Sequence, residues 1–230
     1  MGQSKPRHDI PSKVDGSAMF ALDVQLPGMV YATVKRSPVF SGSLVSVDDS
    51  ATRAIEGVID IIKLPANATD GMVGKYSASD SIAVVAESYW IAQQGLRALK
   101  LEWNAAGNEN VSSESIFEQF NRDITSAKDR KTDISEGDAE QAFAGAAKVL
   151  EADYRVPYLA HTCMEPMNAT AEVRDGEAEL WVGCQNPLGF KYTIANILGI
   201  DAKNVTLHNH FMGGGFGRKA IADNATQAAM

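Results

Sequence analysis

Cysteine is scarce: the 230 residues hold two, Cys163 and Cys184. Two thiols cannot supply the ligand quartet of a structural zinc or an iron–sulfur cluster, and they outline no disulfide framework, so a cluster held by this chain alone is excluded. Long apolar runs are missing as well. No stretch approaches the roughly 20 apolar residues that a membrane-spanning helix needs, and the opening MGQSKPRHDIPSK lacks the apolar segment of a secretory signal. Positive charge is in deficit, with 21 Lys+Arg against 29 Asp+Glu and a formal net charge of -8. That balance leaves no broad phosphate-neutralising face and sets nucleic-acid binding aside. Internal repeats and low-complexity tracts are absent too. What is present, 45% hydrophobic and 22% charged residues, is the composition of an ordinary globular protein of one large or two small domains with a real core.

In the first half, strands and helices interleave. MVYATVKR, Met29 to Arg36, alternates and is β-branched after the turn signal Leu26-Pro27-Gly28, and reads as a strand. VIDIIKL (Val58 to Leu64) and IAVVA (Ile82 to Ala86) are short apolar runs of buried strands. A helix is expected from near Asp49 through Ala54, closed by Gly57. Ser88 caps a second helix, whose Ala92, Leu96 and Leu99 form a stripe for packing on a sheet, and Leu101-Glu102-Trp103 returns as a strand. The texture then changes. Over 105–138 a polar run leads into an amphipathic helix with Ile116, Phe120 and Ile124 on one face and Ser115 with Glu118 spaced as a capping box. The charged stretch SAKDRKTDISEGD that follows is a solvated connection or a boundary.

The second half opens with a short Ala-rich helix over 138–147 and a strand from Val149 to Val156. ATAEVRDGEAELWVG is the clearest hairpin, with Asp175-Gly176 as its two-residue turn. Asn186 caps and Pro187 starts a helix carrying Phe190, Ile194, Ile197 and Leu198 inward, and Gly199 ends it. NVTLHNHF (Asn204 to Phe211) alternates as a strand and runs straight into MGGGFGRK, after which a helix is expected from about Arg218.

That glycine loop is the main candidate for function. Three consecutive glycines plus Gly217 cost backbone entropy without adding packing. It fits neither standard phosphate motif: Ala220 follows Lys219 where a Walker loop needs Ser or Thr, and Arg218 stands where GxGxxG needs its last glycine. On residue types alone, a cofactor loop and a tight structural connection stand level. His161, Cys163 and Glu165 in AHTCMEP lack a second ligand pair and read as hydrogen-bonded structure before they read as a metal site. His208 and His210, two apart on a strand, face one side and could pinch an ion, although a half-buried polar face is the plainer reading. Gln185 is equally a capping residue or an amide aimed at a ligand. No G-x-S-x-G is present, so no catalytic serine elbow is expected.

Taken in order, these signals resemble the molybdenum-binding subunit of the xanthine oxidase family, in its isoquinoline 1-oxidoreductase and membrane-associated aldehyde dehydrogenase branch. IPSKVDGSAMFALDVQLPGMVYATVKRSPVF and SIAVVAESYWIAQQGLRALKLEW resemble the entry and close of that family's a/b hammerhead domain. YLAHTCMEPMNATAEV, LWVGCQNP and HFMGGGFGRK resemble the start of its molybdopterin-binding domain. The resemblance implies an α+β fold: a hammerhead-like domain over 13–104, a linker with an amphipathic helix over 105–138, and the truncated N-terminal part of a molybdopterin-binding domain over 139–230. It implies that Gln185 hydrogen-bonds an oxo ligand of molybdenum and that Gly214, Gly215, Phe216 and Gly217 pack beside the cofactor, with Phe216 walling the pocket. The implied cofactor is molybdenum–molybdopterin cytosine dinucleotide, held through the pterin rather than by protein thiolates, with iron–sulfur clusters on a small partner subunit. The implied reaction oxidises an aldehyde or N-heterocycle carbon, with oxygen taken from water.

Ala220 stands where many relatives have a substrate-facing glutamate. The final stretch, Ile221 to Met230, reads as a helix cut in mid-course, and relatives carry their catalytic glutamate later. The expectation is therefore a piece that does not catalyse alone and supplies no catalytic residue or direct metal ligand. Its compartment, cytoplasmic or periplasmic, stays open. The alternative is a catalytically silent binding or assembly module of the same fold. A third reading is an α+β domain whose glycine loop takes some other nucleotide.

Overall fold

A computed structural model of the chain describes residues 2–71, 74–126 and 131–230. In chain order its first segment comprises α1 (Ile10–Asp15), β1 (Tyr31–Arg36), β2 (Ser43–Asp48), α2 (Ser50–Arg53), β3 (Val58–Leu64), β4 (Asn67–Gly71), β5 (Gly74–Ala78), β6 (Ser81–Ala86), α3 (Tyr89–Ala98) and β7 (Lys100–Asn104). There follow α4 (Ser113–Ser126) and α5 (Ala139–Ala144), then β8 (Thr170–Arg174), β9 (Glu177–Val182), α6 (Pro187–Leu198), β10 (Val205–Asn209) and α7 (Asp223–Ala229). The architecture is α+β. No helix among the described residues is long and apolar enough to cross a membrane. Residues 1–108 and 161–230 form one compact unit, and 109–160 form a second.

In the larger unit, β6 lies between β1 and β3 and pairs antiparallel with both. Ile82, Ala83, Val84 and Ala86 are buried there, which is why the run IAVVA is apolar on both faces. The Ser88 hydroxyl accepts the Ile91 N–H at 3.3 Å to start α3, whose Ala92 and Gly95 press on the sheet. A Cβ on Gly95 would stand 2.8 Å from Val84 Cγ1, so only glycine lets the helix lie this close. Thr52 Oγ1 donates to the Gly95 carbonyl at 2.9 Å and joins α2 to the same helix. Strands β2 and β7 form a separate antiparallel pair, and β4 pairs with β5.

The other sheet has the order β10-β9-β8, with β8 antiparallel and β10 parallel to the central β9. The expected hairpin turn holds φ of 52° at Asp175 and 80° at Gly176, the left-handed pair that a two-residue turn demands. Over this sheet pack α6 and α7, burying Leu180, Val182, Phe190, Ile194, Val205 and Ala225 in one core. Helix α6 begins with the Asn186 side chain accepting the Gly189 N–H at 3.0 Å and ends at Gly199, φ 66°.

Three expectations are corrected. Val149 to Val156 forms no strand. It pairs with no strand among the described residues, and with Leu150 and Val156 81% and 77% exposed nothing repays ordering it. The amphipathic helix starts earlier than the proposed box: Ser112 Oγ accepts the Ser115 N–H at 3.2 Å, so Ser112 is the cap. In this smaller unit no residue of α4 or α5 is buried, and Phe117, which lies outside the expected stripe, makes ring contacts with Phe120 of the stripe and with Tyr158. Part of the charged stretch, residues 127–130, lies outside the described residues. After the glycine loop the chain makes one 3-10 turn, Arg218–Ala220, before α7 begins at Asp223.

A buried carboxylate ties the N-terminal strands to this second sheet. Asp223 accepts Arg218 Nη1 at 2.9 Å and Nη2 at 2.5 Å, and Arg36 Nη1 of β1 at 2.5 Å. Arg36 Nη2 also reaches Gln227 Oε1 at 2.7 Å, and Gln227 Nε2 reaches Ser81 Oγ of β6 at 3.1 Å. Burial raises the Asp223 pKa, but the two guanidinium groups outweigh it and hold the carboxyl below its ordinary value. A depressed folded-state pKa stabilises fully above the unfolded value, about 3.9 for Asp, and that contribution is lost as pH falls through the folded value. Asp223→Asn, which leaves two guanidinium groups short of a counter-charge, is expected to lower stability by about 3 kcal/mol at pH 7. It should also flatten the loss of stability below about pH 4. Urea denaturation of both proteins at pH 7 and pH 3.5 reads both effects.

Candidate functional site

Parallel pairing of β9 and β10, in register from Val205↔Ala178 to Asn209↔Val182, sends both chains out of the same sheet edge. In open sheets that carboxyl edge is where ligands bind. From β9 emerge Gly183, Cys184, Gln185 and Asn186; from β10 come His210, Phe211, Met212 and the glycine loop. Two hydrogen bonds prolong the pairing past the strands, His210 N–H to the Val182 carbonyl at 3.1 Å and Cys184 N–H to Asn209 Oδ1 at 3.0 Å. Burial pushes the Cys184 thiol up to about 11, which makes it an inert core residue.

Gln185 and the loop are joined directly. Its Oε1 accepts the Gly217 N–H at 3.0 Å, and its own N–H donates to the Lys219 carbonyl at 2.9 Å. A Cβ at Gly215 would stand 2.7 Å from that same Oε1, so residue 215 must be glycine for the glutamine to lie here. Gly214 and Gly217 hold φ of 99° and 87°, and Phe216 between them holds 50°. The left-handed conformation costs a residue with a side chain roughly 1–2 kcal/mol, which the local contacts must offset. The Phe216 ring is 74% exposed. No acceptor among the described residues meets the N–H groups of Gly214, Gly215 and Phe216, and the Gln185 Nε2 likewise has no partner there. The site thus presents three backbone donors and one side-chain amide at one sheet edge, on a loop whose glycines keep side chains out of the way.

The segment before β8 supports the loop from beneath. Glu165, buried, accepts Lys219 Nζ at 2.5 Å and the Gly213 N–H at 2.9 Å on Oε2, and Asn168 Nδ2 at 3.2 Å on Oε1. Burial raises its pKa, but these three donors reverse the shift and keep the carboxyl ionised below its ordinary value. Cys163 Sγ–H donates to the Gly215 carbonyl at 3.5 Å. Cys163 and Glu165 of the AHTCMEP run therefore serve as hydrogen-bonded structure, while His161 is exposed, and no group of three His, Cys, Asp or Glu able to hold a metal occurs among the described residues. His208 is engaged elsewhere, its Nε2 2.6 Å from Glu179 Oε1 and its ring stacked on Trp181, while His210 lies past the strand end with a buried, unpartnered Nε2. Sequence reasoning assigned no role to Lys219 or Asp223. Lys219 entered only in the rejected Walker reading, and only the fold reveals that it is 2% exposed.

Residues 120–230 match the family described as the molybdopterin cofactor-binding domain. The chain is 31% identical, over 96% of its own length, to a membrane-bound aldehyde dehydrogenase (pyrroloquinoline-quinone) of Gluconacetobacter polyoxogenes, and spans 28% of that protein. It is 31% identical, over 95% of its length, to the isoquinoline 1-oxidoreductase subunit beta of Brevundimonas diminuta, of which it spans 27%. Its fold matches the crystal structure of the aldehyde oxidoreductase from Desulfovibrio desulfuricans with a TM-score of 0.68 at 18% identity, over 99% of this chain and 29% of that one. Parallel β9 and β10, with the glutamine and glycine loop at their shared edge, lie within the part that matches the molybdopterin cofactor-binding domain, and the chain as a whole is similar to molybdenum-binding subunits of the xanthine oxidase family.

Proposed function

We propose that this chain contributes the glutamine and glycine-loop part of the cofactor site in a molybdenum hydroxylase that oxidises an aldehyde or an N-heterocycle carbon. The observation that carries the reading is the row of unengaged donors, the Gly214, Gly215 and Phe216 N–H groups with the Gln185 amide. A cradle of amide donors with glycine on both sides suits a large anionic cofactor, because backbone comes close and no titratable group is added. The donor set also suits a group held through hydrogen bonds rather than thiolates, since Cys184 is buried and Cys163 is turned to a carbonyl. When bound, a molybdenum–pterin cofactor would supply the two-electron redox chemistry, with oxygen drawn from water.

The residues of this chain do the holding. Gln185, fixed through its Oε1 and its backbone N–H, would offer Nε2 to an oxo group or a substrate oxygen. The loop amides would stabilise negative charge, and Phe216 would form an apolar wall that excludes water on its side. In this proposal residues 13–104 form the hammerhead-like domain, 105–138 the linker and 139–230 the beginning of the cofactor domain. The cofactor is taken to be the cytosine dinucleotide form, with electrons leaving to iron–sulfur clusters on a small partner subunit. One relative's name carries pyrroloquinoline-quinone, yet the molybdopterin match over 120–230 favours the pterin here.

In the native protein purified with its partners, Gln185→Ala is expected to lower kcat about 100-fold, the cost of removing one preorganised donor. Undiminished turnover with molybdenum bound would sink the role of Gln185; a native protein without molybdenum or pterin would instead favour the silent binding module. Gly215→Ala, whose Cβ would displace the Gln185 carbonyl oxygen, should lower molybdenum content several-fold, read by elemental analysis against protein concentration.

A further inference from the structure

The glycine loop is closed by a single buried carboxylate. Gly213, at its entry, is held twice by Glu165: the Gly213 N–H donates to Oε2 at 2.9 Å, and the Gly213 carbonyl accepts the Glu165 N–H at 3.0 Å. Lys219, at its exit, donates to the same Oε2 at 2.5 Å. The approach at the entry is so close that a Cβ on Gly213 would lie 2.5 Å from the Glu165 Cβ. The Glu165 and Lys219 side chains are 6% and 3% exposed, so the pair is largely withdrawn from bulk solvent. From Lys219 the connection continues, because its carbonyl receives the Gln185 N–H at 2.9 Å. One carboxylate therefore fixes both ends of a seven-residue loop and, through the lysine backbone, the strand end that carries Gln185.

Energetics make this arrangement costly unless it positions something. A buried ion pair recovers its desolvation penalty only with well-placed partners, and apolar residues of similar volume commonly replace such pairs without loss of stability. We infer that Glu165 and Lys219 are positioning residues of the glycine loop, holding the Gly214, Gly215 and Phe216 donors and Gln185 in one fixed arrangement to which the cofactor binds. The closure of the loop rests on the contacts themselves; its service to a cofactor rests on the function proposed above.

Two variants test it in the native protein. Glu165→Met with Lys219→Met replaces the pair by apolar side chains, and its denaturation midpoint is expected to match the wild type. Amide hydrogen exchange in the cofactor-free protein should then rise at least tenfold in the 212–219 peptide and stay unchanged in the β9 peptide 178–182. Molybdenum content should fall at least tenfold. Should the double variant fail to fold, the isosteric Glu165→Gln takes its place, and the comparison is again loop exchange against β9 exchange. Loop exchange equal to wild type in the folded variant overturns the inference and makes the pair ordinary packing. Faster loop exchange in a protein whose wild type never carries molybdenum would keep the closure and overturn only the proposed function.

Discussion

Everything at the candidate site depends on β9 and β10 being parallel neighbours. Antiparallel strands would have sent their C-terminal ends to opposite edges of the sheet and left Gln185 far from the glycine loop. Parallel pairing needs a crossover, and α6 supplies it, with Asn186 starting the helix one residue after Gln185 and Gly199 ending it before β10 begins. The crossover is also the core: Phe190 and Ile194 of α6 are buried against Leu180, Val182 and Val205 of the sheet. Burying each such side chain contributes roughly 1.5–3 kcal/mol. The hydrophobic term that stabilises this half of the unit thus also sets which chain ends meet.

Short-range chemistry was readable where it decides conformation by itself. The Asp175-Gly176 turn, the Asn186 cap with Pro187 behind it, the Gly199 stop and the Ser88 cap all lie where their residue types placed them, because each satisfies its own backbone or its own φ within four residues. Strand β2 was not read, since SLVSVD is held by its partner β7 more than by any pattern of its own. Val149 to Val156 erred in the opposite direction: an alternating, β-branched pattern marks a segment able to pair, and pairing also needs a neighbour. At the site, residue types alone left Gln185 and the glycine loop balanced between structure and ligand contact, and the family resemblance singled them out. Their support could not be read, because Glu165 and Lys219 are 54 residues apart and nothing local tells a buried charge from a solvated one.

The distribution of buried charge carries the same lesson further. The polar and charged residues buried deepest include Glu165, Lys219 and Asp223, and all three bear on the segment 213–223. Glu165 with Lys219 closes the loop, while Asp223 takes Arg218, the residue between the loop and Lys219, and then Arg36 of the N-terminal strands. Apolar contacts would stabilise these positions at least as well, but they fix a side chain only to within its packing. A bidentate guanidinium–carboxylate pair fixes direction as well as distance, and so does a carboxylate shared between an ammonium and an amide. Two such fixtures on consecutive turns of one short segment leave a loop rich in glycine, intrinsically the most mobile kind, with little freedom at either end. Conformational entropy that four glycines would otherwise lose on binding is removed in advance, and a ligand at the Gly214, Gly215 and Phe216 amides, as proposed above, would meet donors already aligned.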